Sequence, residues 1–197
     1  CALRTCSMIL NVCIIGLGQV GIKFDLEESR SSGKEVWTHF TAYERLKNKY
    51  KIVAVVDPDK SSWKLVKDRG YEVEYFSTIE EFLNSEIAID VVSICSPDEF
   101  HYYHLKEILP LVKGVFLEKP ISLIEETDLI KTTLENIINN AIVYVNYYKR
   151  MDPTVQKMIL SINHNHEKIK YIECRYSGPF MAVGSHAVDL LNFILPI

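Results

Sequence analysis

The chain has 197 residues, 48% hydrophobic and 24% charged, the profile of a soluble globular protein with room for one full domain and part of another. A net charge of -4 and a pI of about 5.9 exclude a general polyanion binder, whose affinity comes from clustered Lys and Arg, so no nucleic-acid partner is expected. No apolar run reaches the roughly 18 residues needed to cross a bilayer. The five cysteines form no CxxC pair and read as reduced thiols of a cytoplasmic protein.

Residues 1–7 are too short for a signal peptide and read as an ordered extension or a start-site artefact. Met8 to Ile15 is an apolar, β-branched run that ends in Gly16-Leu17-Gly18-Gln19-Val20-Gly21, a buried strand entering a glycine turn and a helix. Asp25 to Lys34 is polar and reads as an inserted loop, followed by a helix over about Thr38 to Lys49. Lys51 to Val56 is a second strand, closed by Asp57-Pro58-Asp59, and Tyr71 to Phe76 a weaker third. Ser77 to Glu81 offers overlapping capping boxes for a short helix through Leu83.

Asp90 to Cys95 is a fourth strand, ended by Ser96-Pro97, and His101 to Leu109 is helical. Val115 to Leu117 is a fifth strand, followed by Glu118-Lys119-Pro120. Ser122 caps a helix from Leu123 to about Ile138, with Leu123, Ile124, Ile130, Leu134, Ile137 and Ile138 on one face. Ala141 to Tyr147 is a sixth strand. Strands alternating with helices predict a doubly wound parallel sheet, covered on both faces. After Tyr147 the rhythm changes. Asp152-Pro153 starts a helix to about Ile162, 164–167 form a turn, Lys168 to Tyr176 is strand-like with a phase slip, and Gly184 to Leu195 is a helix. The expected division is a Rossmann-type domain over 8–148 and the beginning of a second, α+β domain over 149–197, incomplete because the chain stops before a second sheet is built.

Gly16-x-Gly18-x-x-Gly21 after a strand, paired with Asp57 at the end of the next strand, has the pattern of a dinucleotide fingerprint. The glycines permit a tight turn, approach of a pyrophosphate and close helix–strand packing, and the helix N-terminus offers amide donors. Asp57 suits ribose hydroxyls and repels a 2′-phosphate, favouring NAD(H) over NADP(H); Lys60 nearby softens that preference and leaves NADP possible. Lys119, at the carboxyl end of a strand, can polarise a carbonyl or move a proton; the alternative is a surface lysine before a turn proline. Ser96, Pro97 and His101 either touch the cofactor or merely cap a helix carrying a solvated His. His186, near a helix start, can take a proton from a hydroxyl when neutral. Asp189 lies three residues on along the same face, and the pair is a catalytic unit or a structural hydrogen bond. His164-x-His166 lacks further ligands, and no metal is expected.

This ordered set resembles the Gfo/Idh/MocA oxidoreductases from about Ile9 to Leu195. The markers are the Gly16–Gly21 turn with Gln19 and Val20, Val55-Val56-Asp57-Pro58-Asp59, Ser96-Pro97 with His101, Glu118-Lys119-Pro120, Asn146-Tyr147 with Arg150, and Gly184-Ser185-His186 with Asp189. The resemblance implies an NAD(P)-dependent enzyme acting on CH–OH groups of a sugar, sugar nucleotide or cyclitol, and a second domain with an open, mainly antiparallel sheet through which homo-oligomers form. It implies Lys119 and His186 as catalytic residues, with a cis proline at Pro120. It also implies a cofactor set of Gly16, Gly18, Gln19, Val20, Gly21, Asp57, Ser96, Pro97, His101, Glu118 and Lys119. Substrate would be met by Lys119, Tyr147, Arg150, Ser185, His186 and Asp189. Thr38-His39 and the Gly-Ser-His form are similar to members found with surface-polysaccharide or sugar-nucleotide biosynthesis. One departure stands out: many members carry an acidic residue four positions before the histidine, where this chain has Ala182. The competing reading is therefore a non-catalytic dinucleotide binder, regulatory or a truncated remnant.

Overall fold

A computed structural model describes residues 8–27, 35–122, 127–136, 141–163 and 170–194. The chain divides into two compact units, 1–145 and 146–197. In the first, strands β1 (Leu10–Ile15), β2 (Tyr50–Val56), β3 (Glu74–Phe76), β4 (Val91–Ile94), β5 (Gly114–Leu117) and β6 (Ile142–Val145) form one six-stranded sheet of order β3-β2-β1-β4-β5-β6. Every pairing is parallel. The doubly wound α/β expectation is met.

The side-chain period of a strand sorts β1 onto two cores. Cys13 and Ile15 join Val92, Ile94, Leu105, Ile108 and Leu117 on one face, while Val12 and Ile14 join Leu17, Ile22, Phe40, Tyr43 and Val66 on the other. Each such fully buried aliphatic or aromatic chain contributes roughly 1.5–3 kcal/mol. The register between β1 and β2 shifts at Val12/Cys13, so that Ile15 faces Val56. Gly16 N–H then donates to Val56 O at 2.8 Å, which brings Asp57 level with the turn leaving β1.

Helices α1 (His39–Arg45), α2 (Lys60–Asp68), α3 (Ile79–Leu83), α4 (His101–Ile108) and α5 (Thr127–Asn136) cover the sheet. Thr38 caps α1, accepting from Thr41 N, and Thr78 caps α3 by accepting from Glu81 N. The reciprocal contact of that expected capping box is offset by one residue: Glu81 accepts from Ser77 N at 2.7 Å. Helix α2 has no counterpart in the sequence expectations. It starts at Asp59, whose carboxylate accepts from Ser61 N, and it buries only Ser62 and Val66.

The glycine turn does not open a long α-helix. A π-helical turn, Gln19–Lys23, passes into a 3-10 turn, Phe24–Leu26. The Asp25 carboxylate turns away to accept from Trp37 N at 3.0 Å and from the Thr38 hydroxyl. Burial would raise the Asp25 carboxyl, but bonds from Thr38, Thr41 and Trp37 outweigh it and hold it below its ordinary value. The rest of the expected insertion, 28–34, lies outside the described residues, as do 1–7 and the turn at 164–167. Of the face expected on α5, Ile130 is buried; the other positions lie outside the described side chains.

The second unit holds a 3-10 turn, Tyr148–Met151, helix α6 (Pro153–Asn163), a π-helical turn, Phe180–Gly184, and helix α7 (Ser185–Ile194). Pro153 opens α6, and Asp152 accepts from Thr154 N and Val155 N. Of the strand expected over 168–176, residues 168 and 169 lie outside the described residues, and 170–176 form none: they are exposed and join no sheet among the described residues. A lone strand has no neighbour to take its N–H and C=O groups.

Candidate functional site

The turn after β1 is built around two positions that exclude a side chain. Gly16 has φ +93, and a Cβ there would lie 2.6 Å from the backbone of Cys95 and Ser96. A Cβ on Gly21 would overlap the carbonyl oxygen of Gly16. At Gly18, by contrast, nothing lies within 4 Å of where a Cβ would stand, so that position opens on free space. Asp57, 9% exposed, braces the turn: its Oδ2 accepts from Leu17 N at 2.6 Å and its Oδ1 from Asp59 N at 2.8 Å. Trp63 closes this corner by donating from Nε1 to Asp57 O at 2.9 Å.

Gly16, Gly18, Gln19, Asp57, Ser96 and Pro97 line one crevice of about 600 Å³ at the carboxyl ends of β1, β2 and β4, where ligands bind in open parallel sheets. The sequence reading missed part of its wall: Ser77, Thr78, Ile79 and Glu80 on one side, Phe100, Tyr103 and His104 on the other. The i, i+3, i+4 spacing of Phe100, Tyr103 and His104 on one helical face is the signal that could have found them. Tyr103 donates to Glu80 Oε1 at 2.7 Å across the crevice. His104 stacks on Phe100 and holds Nδ1 2.9 Å from Ser96 Oγ. Burial, and then the neighbouring His101, pushes the His104 ring down to about 4, so it is neutral near pH 7.

The open space at Gly18, a crevice running from Asp57 to Ser96-Pro97 and the lack of a Cβ at Gly16, Gly18 and Gly21 fit a diphosphate flanked by two ribosides. Val20 is half-buried and packs against the α1-side core. His101 takes a different place from the one expected. It is 1% exposed, not solvated, with Nδ1 2.6 Å from Pro120 O and Nε2 2.7 Å from Ser96 O. The ring ties the loop after β4 to the one after β5, a role its spacing to Ser96 did not reveal.

Glu118 and Lys119 follow β5 and are partly buried, and the Lys119–Pro120 peptide is cis. Glu118 Oε1 lies 2.9 Å from His39 Nε2. That pairing was missed because the partners are 79 residues apart.

In the second unit, His186 is buried, in T-shaped contact with the rings of Tyr147 and Tyr148, 5.6 and 5.0 Å between ring centres. Asp189, 8% exposed, pairs through both oxygens with Arg150, from Nε at 2.8 Å and from the second guanidinium nitrogen. The sequence reading paired Asp189 with His186; the fork of Arg150 fits a carboxylate better. Burial and then the Asp189 charge raise the Tyr147 phenol. Ser185 Oγ donates to Met181 O at 2.7 Å, and Ala182 is exposed. No cluster of His, Cys, Asp or Glu among the described residues could hold a metal ion, and no described helix is long and apolar enough to cross a membrane.

Residues 10–147 match the model of GFO_IDH_MocA, the oxidoreductase family with an NAD-binding Rossmann fold. Among curated proteins, the uncharacterized oxidoreductase YrbE of Bacillus subtilis is 26% identical over 162 residues, 74% of this chain and 46% of that protein. An inositol 2-dehydrogenase of Corynebacterium glutamicum is 25% identical over 148 residues, 75% of this chain and 39% of that protein. The chain thus spans less than half the length of these relatives. Two solved structures share the fold. Scyllo-inositol dehydrogenase from Lactobacillus casei with bound NAD(H) and scyllo-inositol has a TM-score of 0.71 at 19% identity, over 95% of this chain and 56% of that one. The WlbA dehydrogenase from Bordetella pertussis in complex with NADH and UDP-GlcNAcA has 0.71 at 16% identity, over 95% and 59%.

Proposed function

The chain belongs to the Gfo/Idh/MocA oxidoreductase family and carries its NAD-binding Rossmann fold, and from this premise we propose that the protein moves a hydride between NAD(H) and a hydroxyl-bearing carbon of a sugar, sugar nucleotide or cyclitol. The observation that carries the reading is the Gly16–Gly21 turn braced by Asp57. In the proposal, main-chain amides around Gly16, Gly18, Gln19, Val20 and Gly21 hold the diphosphate. Asp57 keeps lone pairs for the adenosine ribose, and with a carboxylate there NAD is preferred over NADP. Ser96, Pro97 and Glu118 bound the nicotinamide end, His101 supporting them from beneath.

Bound NAD⁺ supplies the hydride acceptor. Lys119, partly buried after β5, polarises or deprotonates the reacting oxygen. His186 is the second proton-handling group, with Tyr147 in T-shaped contact with its ring. Ser185 and the Arg150–Asp189 pair shape the substrate side. The names of the inositol and UDP-GlcNAcA complexes support a polyhydroxylated substrate. A second domain, beginning near 149, would add an open antiparallel sheet and an oligomer interface, and the protein would work in the cytoplasm.

Absorbance of reduced nicotinamide is followed with a panel of inositols, sugars and nucleoside-diphosphate sugars. Lys119→Ala is expected to lose about a hundredfold or more in turnover, the scale of positioned acid–base catalysis, while its NADH affinity holds. A variant with full rate refutes the assignment of Lys119. Ala182, where many family members carry an acidic group, favours one rival reading: a regulatory binder that takes up NAD(H) and turns over nothing in the panel.

A further inference from the structure

Beneath the end of β5 lies a buried polar chain that the crevice does not use. His39, 6% exposed, sets Nε2 2.9 Å from Glu118 Oε1 and Nδ1 3.1 Å from Ser93 Oγ. Ser93 Oγ is in turn 2.8 Å from the Tyr43 hydroxyl. His39 and Tyr43 are four residues apart on α1, hence on one face; Ser93 is fully buried in β4. Phe116 tilts against the imidazole at 4.6 Å between ring centres. Burial, eased by the Ser93 bond, pushes the Tyr43 phenol up to about 12, so it stays a donor.

One arrangement of protons satisfies every member. Tyr43 donates to Ser93, Ser93 donates to Nδ1, and the proton-bearing Nε2 donates to the Glu118 carboxylate. Bonds of one polarity reinforce each other in a low dielectric. Burying such a chain gains little stability over an apolar packing of the same volume, so its distinctive product is a fixed position for the Glu118 carboxylate. Glu118 N–H donates to Ile94 O at 2.9 Å, and the chain bends at the next residue, Lys119. With Glu118 tied through both its main chain and its carboxylate, the direction in which the chain leaves it for Lys119 is constrained.

We propose that His39 is a positioning residue that grips Glu118 from the core and so sets the orientation of Lys119. The inference rests on the reading of Lys119 as a working group of the site, but its test does not use turnover. The reaction rate of each lysine with an amine acylating reagent is measured on the full chain by peptide mapping, with Lys113, exposed at the start of β5, as internal reference. His39→Asn keeps an amide where Nδ1 stood and cannot reach Glu118; His39→Gln keeps a donor where Nε2 stood.

Lys119 acylation relative to Lys113 is expected to rise about threefold or more in His39→Asn and to return close to the parent in His39→Gln, because only the second restores the bond to Glu118. Equal rates in the two variants overturn the proposal, as would a Lys119 rate unchanged in a folded His39→Asn. Should His39→Asn fail to fold, Glu118→Ala severs the same link from its other end, and an unchanged Lys119 rate there overturns it as well. Failure of the reading of Lys119 as a working group shows separately, as full turnover in Lys119→Ala.

Discussion

Replacing Asp57 by Asn tests whether one carboxylate both builds the turn and serves its ligand. Both oxygens of Asp57 already take main-chain donors, Leu17 N at 2.6 Å and Asp59 N at 2.8 Å. An amide keeps one acceptor and presents an NH₂ to the other N–H, so one bond becomes donor against donor. Hydrogen bonds to a charged group are worth about 1.5–3 kcal/mol, and a buried N–H left unmatched costs on the same scale. We expect Asp57→Asn to lose roughly 1.5–3 kcal/mol. At roughly 2–4 °C per kcal/mol for a chain of this size, that is a fall in Tm of roughly 3–12 °C by circular dichroism. Because the ribose loses its acceptor too, NADH affinity by fluorescence titration is expected to weaken about tenfold or more, the equivalent of roughly 1.4 kcal/mol. Asp59→Asn is the control: Asp59 is exposed and caps α2 through Ser61, and Asn caps a helix as well as Asp. If Asp57→Asn melts together with Asp59→Asn and binds NADH like the parent, the bracing role of Asp57 is wrong.

Three other perturbations separate the turn from its ligand and test the crevice's response to pH. Gly21→Ala sets a methyl on Gly16 O and is expected to cost about 1–3 kcal/mol as overpacking. Gly18→Ala meets nothing within 4 Å and should melt like the parent while binding NADH more weakly; calorimetry with both variants checks the contrast. The His104 ring is held down to about 4 from 6.5. Below 6.5 the unfolded chain takes up a proton that the folded ring refuses until about 4, so this group makes stability fall as pH drops through that window. Discounted for the ring's partial exposure, the loss is about 2 kcal/mol. Urea unfolding between neutral pH and pH 4.5 should show that loss in the parent and a flatter curve in His104→Gln; parallel curves would refute it.

The parallel sheet was legible because its strands are short apolar runs, closed by Gly16, Asp57, Ser96-Pro97 and Glu118. Those closing residues sit at carboxyl ends, and three of the four groups do line the crevice. Helix α2 was not legible: its nine residues carry only Trp63, Leu65 and Val66 as apolar positions, too short a stripe to stand out among lysines and serines. His101 drew attention by its spacing to Ser96, yet packing turns it inward, and His104, one turn on, faces the crevice. Its distance along the chain hid the link between His39 and Glu118, since no local pattern joins residues brought together only by the sheet. The Asp189 pairing failed for the same reason: helical spacing proposed His186, and Arg150 reached in from outside α7.

A cysteine lines the crevice with its thiol in a state that electrophiles cannot readily exploit. Cys95 lines the crevice, and burial, with the Glu118 charge second, raises its thiol well above the ordinary value; Cys13, in the core on the other side of the sheet, is raised by burial alone. Peroxides and alkylating agents attack the thiolate, so neither sulfur is a target while the sheet stays closed. Among the described thiols the exposed Cys174 meets an oxidative insult first, and damage there leaves the wall against which a coenzyme would lie chemically untouched.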